Sequence, residues 1–178
     1  DMLSNSFLSI FVVFESKHPR FSHLRSAKSD KRAFYLSVVY DEDHDNGRRA
    51  EKSLTLASRK GYIKTVRWLV KRGVNIHARG GAALRCASRC NHLGVVQFLI
   101  GVGADVHAGG DNALIHASRS GCLEVVKFLV LSGADIHAGS DKALREASDH
   151  GRLGVVKFLV LSGANIHAKN DEALVNAS

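Results

Sequence analysis

Four histidines, His77, His107, His137 and His167, recur at a fixed spacing of 30 residues, and a column of imidazoles raises the question of a metal. A metal ion needs His nitrogens about 2.0–2.1 Å away, whereas side chains on successive packed helices stand roughly 8–10 Å apart. The column cannot close on one ion, so each ring is expected to bond loop backbone across its own junction. Cys86 and Cys90 lie i,i+4 with His92 two residues beyond, which is not a zinc spacing and lacks a fourth ligand. Cys122 opens a helix, where partial burial or a modestly lowered thiol pKa is expected. Glu146, Asp149 and His150 share one exposed helix end. No nucleophile–base–acid set, phosphate loop or dinucleotide signature accompanies them. Neither enzyme activity, a cofactor nor a bound metal is expected.

The elements that position these residues follow from self-alignment at an offset of 30. Leu54, Leu84, Leu114, Leu144 and Leu174 form one column, and Ala57-Ser58 recurs at 87, 117, 147 and 177. Val66, Val96, Val126 and Val156 precede Leu69, Leu99, Leu129 and Leu159, and Gly73, Gly103, Gly133 and Gly163 follow. A fixed period of this size means a solenoid of supersecondary units. In each unit a first helix (142–150 in the fourth) buries Ala143, Leu144 and Ala147, and Gly151 permits a turn. A second helix, 153–161, carries Leu153, Val156, Leu159 and Val160 at spacings of three and four. Such helices are shorter than the roughly 12–15 residues that an isolated helix needs, so neighbouring units must bury their apolar sides.

The expected organisation is an N-terminal region, 1–48, containing a degenerate capping unit over 20–42, followed by repeats 49–78, 79–108, 109–138, 139–168 and a partial unit 169–178. The fold class expected is all-α. The apolar run Phe7–Phe14 is too short to span a bilayer, so no membrane partner is expected. Three cysteines imply no disulfide framework and suit a reducing, intracellular compartment. The net charge of +8 is unevenly placed: residues 51–78 carry seven Lys/Arg against one Glu, whereas the blocks after 108 are close to neutral. A basic end of this kind attracts an acidic partner.

The units resemble ankyrin repeats. Asn112-Ala113-Leu114-Ile115-His116-Ala117-Ser118 keeps only the Leu and first Ala of the family's T-P-L-H-x-A-A opening. Gly121-Cys122-Leu123-Glu124-Val125-Val126-Lys127-Phe128-Leu129-Val130 is similar to its G-H-x-E-V-V-x-x-L-L. Gly133-Ala134-Asp135-Ile136-His137-Ala138 is similar to its G-A-D-V-N-A. The period of 30 rather than 33 shortens the connection between Ala138 and Lys142, so a simple loop is expected where the family has a β-hairpin finger. Phrases such as Asn-Ala-Leu and Gly-Ala-Asp-Ile-His also resemble ankyrin proteins of giant amoeba viruses (mimivirus-like), which implies a viral protein acting on host proteins; a place in the host cytoplasm and a monomer are expected.

The resemblance implies protein binding through positions that vary over a constant scaffold. The residues singled out are Arg59, Arg85, Arg89, Ile115, His116, Arg119, Arg145, Glu146 and Asp149, at first-helix positions facing the inner side of the solenoid. Arg59, Arg89 and Arg119 form a basic stripe that Asp149 interrupts, suited to acidic side chains or a C-terminal carboxylate. Alternatives are nucleic-acid binding through the basic cluster at 59–72, which has few stacking aromatics, and a structural role in a virion.

Overall fold

The computed structural model describes residues 46–169. The capping unit over 20–42, and all but the first residue of the partial unit at 169–178, lie outside the described residues. Within them the chain forms eight helices and no strand: α1 (Asn46–Lys60), α2 (Ile63–Lys71), α3 (Ala78–Arg89), α4 (Leu93–Gly101), α5 (Ala108–Ser120), α6 (Leu123–Leu131), α7 (Ala138–Asp149) and α8 (Leu153–Leu161). Each odd-numbered helix is followed by an antiparallel even-numbered partner, and the pairs stack as an all-α helix-turn-helix solenoid. The odd helices form one closely packed layer, α1 on α3 on α5 on α7, while the even helices touch one another more lightly. No described helix is long and apolar enough to cross a membrane.

Residue size explains the asymmetry of the two layers. Ala57, Ala87, Ala117 and Ala147 are fully buried on the odd helices and let neighbouring backbones approach closely. Leu54, Leu84, Leu114 and Leu144 fill the space between units at 1% exposure, each worth about 1.5–3 kcal/mol of burial. Ser58, Ser88, Ser118 and Ser148 are also buried, and among the described residues their hydroxyls meet no partner. Serine therefore stands in this column for its small size.

The apolar side of the second helix is wider than the expected one. Val66, Val96 and Val126 are buried as expected, with Leu69, Leu99, Leu129 and Leu159, and Thr65/Val95/Val125/Val155 are buried beside them, while Leu153 is 61% exposed and Val160 is also exposed. Leu93 and Leu123, which hold the position of Leu153 in earlier units, are half-buried. Those two lie between described units, and Leu153 sits on the last of them. Val95, Val125 and Val155 lie four residues before Leu99, Leu129 and Leu159, and with the adjoining valine column they widen the apolar side because helices in a stack are covered from two sides.

The junctions are not simple loops. Arg79-Gly80-Gly81, Gly109-Gly110-Asp111 and Gly139-Ser140-Asp141 each place three consecutive residues in the left-handed region, with φ between 53° and 70°. This single left-handed turn reverses the chain in three residues, and it costs roughly 1–2 kcal/mol for each residue bearing a Cβ. Buried polar contacts offset that cost. The Asp111 carboxyl oxygen accepts the Asp135 backbone N–H at 2.9 Å and the His107 Nδ1–H at 3.1 Å. Asp141 repeats the arrangement with Asn165 N–H at 2.8 Å and His137 Nδ1–H at 3.0 Å. The described rings of the histidine column thus turn to a carboxyl group on their own junction where Asp is present, not to loop backbone. The backbone N–H of all four histidines donates to the Asn or Asp side chain two residues earlier: Asn75, Asp105, Asp135 and Asn165.

Adjacent units are also tied by a side chain preceding each second helix. His92 Nε2–H donates to the Arg59 carbonyl at 3.0 Å, Cys122 Sγ–H to the Arg89 carbonyl at 3.7 Å, and Arg152 Nε–H to the Arg119 carbonyl at 3.1 Å. These carbonyls belong to the last turn of a first helix, where no intrahelical donor remains. The long reaching side chains cross a glycine: a Cβ on Gly61 would lie 2.5 Å from the His92 ring, and one on Gly121 would lie 2.8 Å from Arg152 Cδ. Where the shorter Cys122 reaches across, the position is Asn91, also at positive φ.

Three outcomes follow in equilibrium urea unfolding. Gly61→Ala should cost at least about 2 kcal/mol, combining positive-φ strain with overpacking. Gly151→Ala, at similar φ but with nothing within 4 Å, should cost about 1 kcal/mol. Asp141→Ala should lose about 2–3 kcal/mol and accelerate hydrogen exchange at the Asn165 amide, with Asp141→Asn losing less because it keeps the acceptor oxygen.

Candidate functional site

Positions i, i+4 and i+7 of the odd helices carry the residues that differ most between units, and all but the buried Ala82 are exposed or half-buried. The sets are Lys52/Leu56/Arg59 on α1, Ala82/Cys86/Arg89 on α3, Asn112/His116/Arg119 on α5 and Lys142/Glu146/Asp149 on α7. Arg59, Arg89 and Arg119 are exposed and lie one unit apart, and Asp149, also exposed, ends the line. Their last-turn location places three cations at helix C-termini, where the macrodipole favours positive charge. The backbone carbonyls of the same three arginines accept the inter-unit hydrogen bonds from His92, Cys122 and Arg152. The stripe is therefore anchored through its main chain while its guanidiniums remain on the surface.

The centre of the surface is His116. It is half-buried on α5, and its imidazole pKa is held below 6.5 by burial first, then by the positive charge of Arg85, Arg89 and Arg119, with Glu146 acting in the opposite sense. Helices α3, α5 and α7 thus converge on one ring. Arg119 Nε lies 3.8 Å from Glu146 Oε2, a loose pair on a half-exposed cation and worth little in itself. Among the described residues Arg59, Arg85 and Arg89 form no ion pair.

Two of the expected surface residues are inside the fold. Ile115 is 6% exposed and belongs to the apolar core. Arg145, 7% exposed, folds back on its own junction, with Nε–H donating to the Ser140 carbonyl at 3.2 Å and an Nη2–H to the Gly139 carbonyl at 3.1 Å. It satisfies carbonyls of the left-handed turn rather than offering a fork to a partner. Arg85 holds the same helical position two units earlier without such a bond, and nothing in the structure explains the difference. The sets opening each unit, 79–81, 109–111 and 139–141, also differ between units, but they are the left-handed turns themselves, so the backbone limits their variation.

The three cysteines are free. Cys86 and Cys90 are half-buried on α3; of the two alternatives expected for Cys122 the structure shows burial, and desolvation raises its thiol pKa instead of lowering it. Its neighbours at the inter-unit contact account for this: the thiol is covered by the preceding unit and used as a donor. His150 is exposed, its Nδ1–H donating to the Glu146 carbonyl at 3.0 Å, which keeps the ring on its own helix.

A family profile described as ankyrin repeats (3 copies) matches residues 25–109, 54–140 and 102–170. The chain belongs to the ankyrin-repeat family. No curated protein matches it. Ankyrin repeats are protein–protein interaction modules and are typically non-catalytic, and the surface described here fits that use. It is a shallow inner face built from helix ends, with three cations free of ion pairs among the described residues. Leu56 and Cys86 share this face, each three residues before the Arg59 or Arg89 of the basic stripe, and both are half-buried.

His116 offers a direct readout of this field. In an NMR titration of its ring Cε1–H, protonation is expected below pH 6.5, Arg89→Gln should raise the midpoint, and Glu146→Gln should lower it further. Because folding lowers this pKa, the unfolded chain takes up the proton first as pH falls. The neutral ring's contribution to stability is present above about pH 6.5 and is lost as pH falls through the folded midpoint. His116→Gln should flatten the pH dependence of unfolding in that window.

Proposed function

We propose that this ankyrin-repeat chain is an adaptor that docks an acidic segment of a host protein along the inner face of its first helices. The observation that carries the reading is the exposed stripe Arg59, Arg89 and Arg119, one unit apart, with Arg85 beside it; among the described residues Arg59, Arg85 and Arg89 form no ion pair. A solubilising surface needs mixed charge, and here the cations of units one and two stand without neighbouring carboxylates. Planar guanidinium forks suit carboxylates, and a one-signed face steers an acidic partner into place. Similarity of the 30-residue phrases to giant-virus ankyrin proteins supports a partner met in the cytoplasm of an infected host.

The exposed cations Lys60, Lys64, Arg67 and Lys71 on α1 and α2 motivate a second reading, nucleic-acid binding. The aromatics that would stack bases are already engaged. Arg67 lies over the Phe98 ring at 4.7 Å and Arg72 over Trp68 at 4.3 Å, and both rings are half-buried against the core. That leaves backbone attraction alone, which favours the protein-binding reading.

Fluorescence anisotropy with a short fluorescein-labelled glutamate-rich peptide tests the proposal. The triple variant Arg59→Glu, Arg89→Glu, Arg119→Glu should bind at least about tenfold more weakly while keeping its helical circular dichroism. Unchanged affinity would remove the stripe from the interface. Tighter binding to single-stranded RNA than to the peptide, falling steeply with salt, would transfer the function to nucleic acid.

A further inference from the structure

We infer that Arg85, Arg89, His116 and Arg119 form an anchor site for a phosphorylated side chain of the docked protein segment, a deepening that rests on the docking reading above. The first ground is convergence. The four residues come from two adjacent first helices, α3 and α5, and the charges of all three arginines act on the His116 ring. Arg85 and Arg89 are i,i+4 on one helix face, as His116 and Arg119 are i,i+3 on the next, and neighbouring helices stand about 8–10 Å apart. Arginine side chains of that reach can bring their forks to one anion between the helices.

Charge is the second ground. Three guanidiniums against the single Glu146 carboxylate leave two positive charges around a neutral His116. That surplus matches a phosphoryl group, which carries about −1.5 to −2 at pH 7, better than a single carboxylate. A phosphoryl group also offers three acceptor oxygens to donors approaching from both helices, where a carboxylate offers two. Glu146 completes the picture as a placeholder: its oxygen sits a loose 3.8 Å from Arg119 Nε, so an incoming dianion can displace it.

The neutral ring is the third ground. His116 carries a half-buried imidazole whose protonation is disfavoured by burial and by the three arginines, and a dianion arriving among those arginines offsets their field. The proton then taken up adds one more donor to the bound group, so binding and protonation support each other.

The experiment compares three peptides of one acidic sequence carrying serine, aspartate or phosphoserine at the central position, measured by anisotropy against the whole chain. The phosphoserine peptide should bind at least about tenfold more tightly than the aspartate peptide. Arg85→Lys and Arg89→Lys, which keep the charge and lose the fork, should erase most of that preference. Lys157→Gln, on α8 and outside both the stripe and the cluster, should leave the preference intact. Phosphoserine peptide should also raise the His116 ring midpoint in the NMR titration, and the serine peptide should raise it less.

Equal, stripe-dependent binding of the aspartate and phosphoserine peptides would overturn the anchor site and leave the docking reading standing. Failure of all three peptides to bind would overturn both. A preference that survives Arg85→Lys and Arg89→Lys with an unmoved His116 midpoint would place the phosphoryl group elsewhere and overturn the assignment. Tighter binding to phosphoinositide vesicles than to the phosphopeptide would overturn it in favour of a membrane surface.

Discussion

None of these helices can hide its apolar face alone, and every other feature of the chain follows from that constraint. Helices of nine residues, such as α4, α6 and α8, are too short to persist in isolation, so the free energy of the fold resides in the faces between units. The leucine and alanine columns at 0–1% exposure show how little latitude those faces have. The faces therefore repeat almost without change, and variation is confined to positions that no neighbour covers. A binding surface is the remainder left when the stacking positions have been fixed.

The constraint acts on hydrogen bonds as strictly as on apolar contacts. The last-turn carbonyls of α1, α3 and α5 each require a donor from the next unit, and three chemically different side chains supply it: His92, Cys122 and Arg152. The identity of the donor is free, but its bulk is not. Gly61 and Gly121 face the larger donors, and Asn91 faces the cysteine. A left-handed position is thus filled by the residue that both the backbone and the opposite unit allow. This pairing explains why the glycine column has its exception in the second unit, a stronger reason than the tolerance of Asn for positive φ alone.

The repeat, the all-α class and the core columns were legible in the sequence because a buried position must recur at the same phase in every unit. The positive-φ turns at 79–81, 109–111 and 139–141 were not legible as structure. Their residues change from Arg-Gly-Gly to Gly-Ser-Asp, and only the backbone angles are shared. Asp111 and Asp141 read as polar loop residues, yet each is buried because its oxygen holds the far end of its own unit. The misplacement of Ile115 and Arg145 has a related origin. Their column, Thr55/Arg85/Ile115/Arg145, varies in sequence as a surface column does, but it lies on the edge between the inner face and the junction. Chemistry decides the side there: an isoleucine turns inward, and an arginine can reach the carbonyls of a left-handed turn.

That edge column bears on how such a scaffold acquires a site. A surface confined to one unit would present a single helix face, about two or three side chains wide. The first helices approach more closely than the second ones, so charges on α3, α5 and α7 act together: after burial, Arg85, Arg89 and Arg119 lower the His116 pKa and Glu146 opposes them. The charge of the site is then set by composition across units. Arg59, Arg89 and Arg119 supply the cations, and Asp149 and Glu146 end the basic line at the fourth unit. Substituting one unit shifts the field at its neighbours without disturbing the stack, since the outward residues contribute little to the faces that hold it. The stacking contacts fix where the charges stand, the uncovered positions fix their sign, and recognition by this chain depends on the second without altering the first.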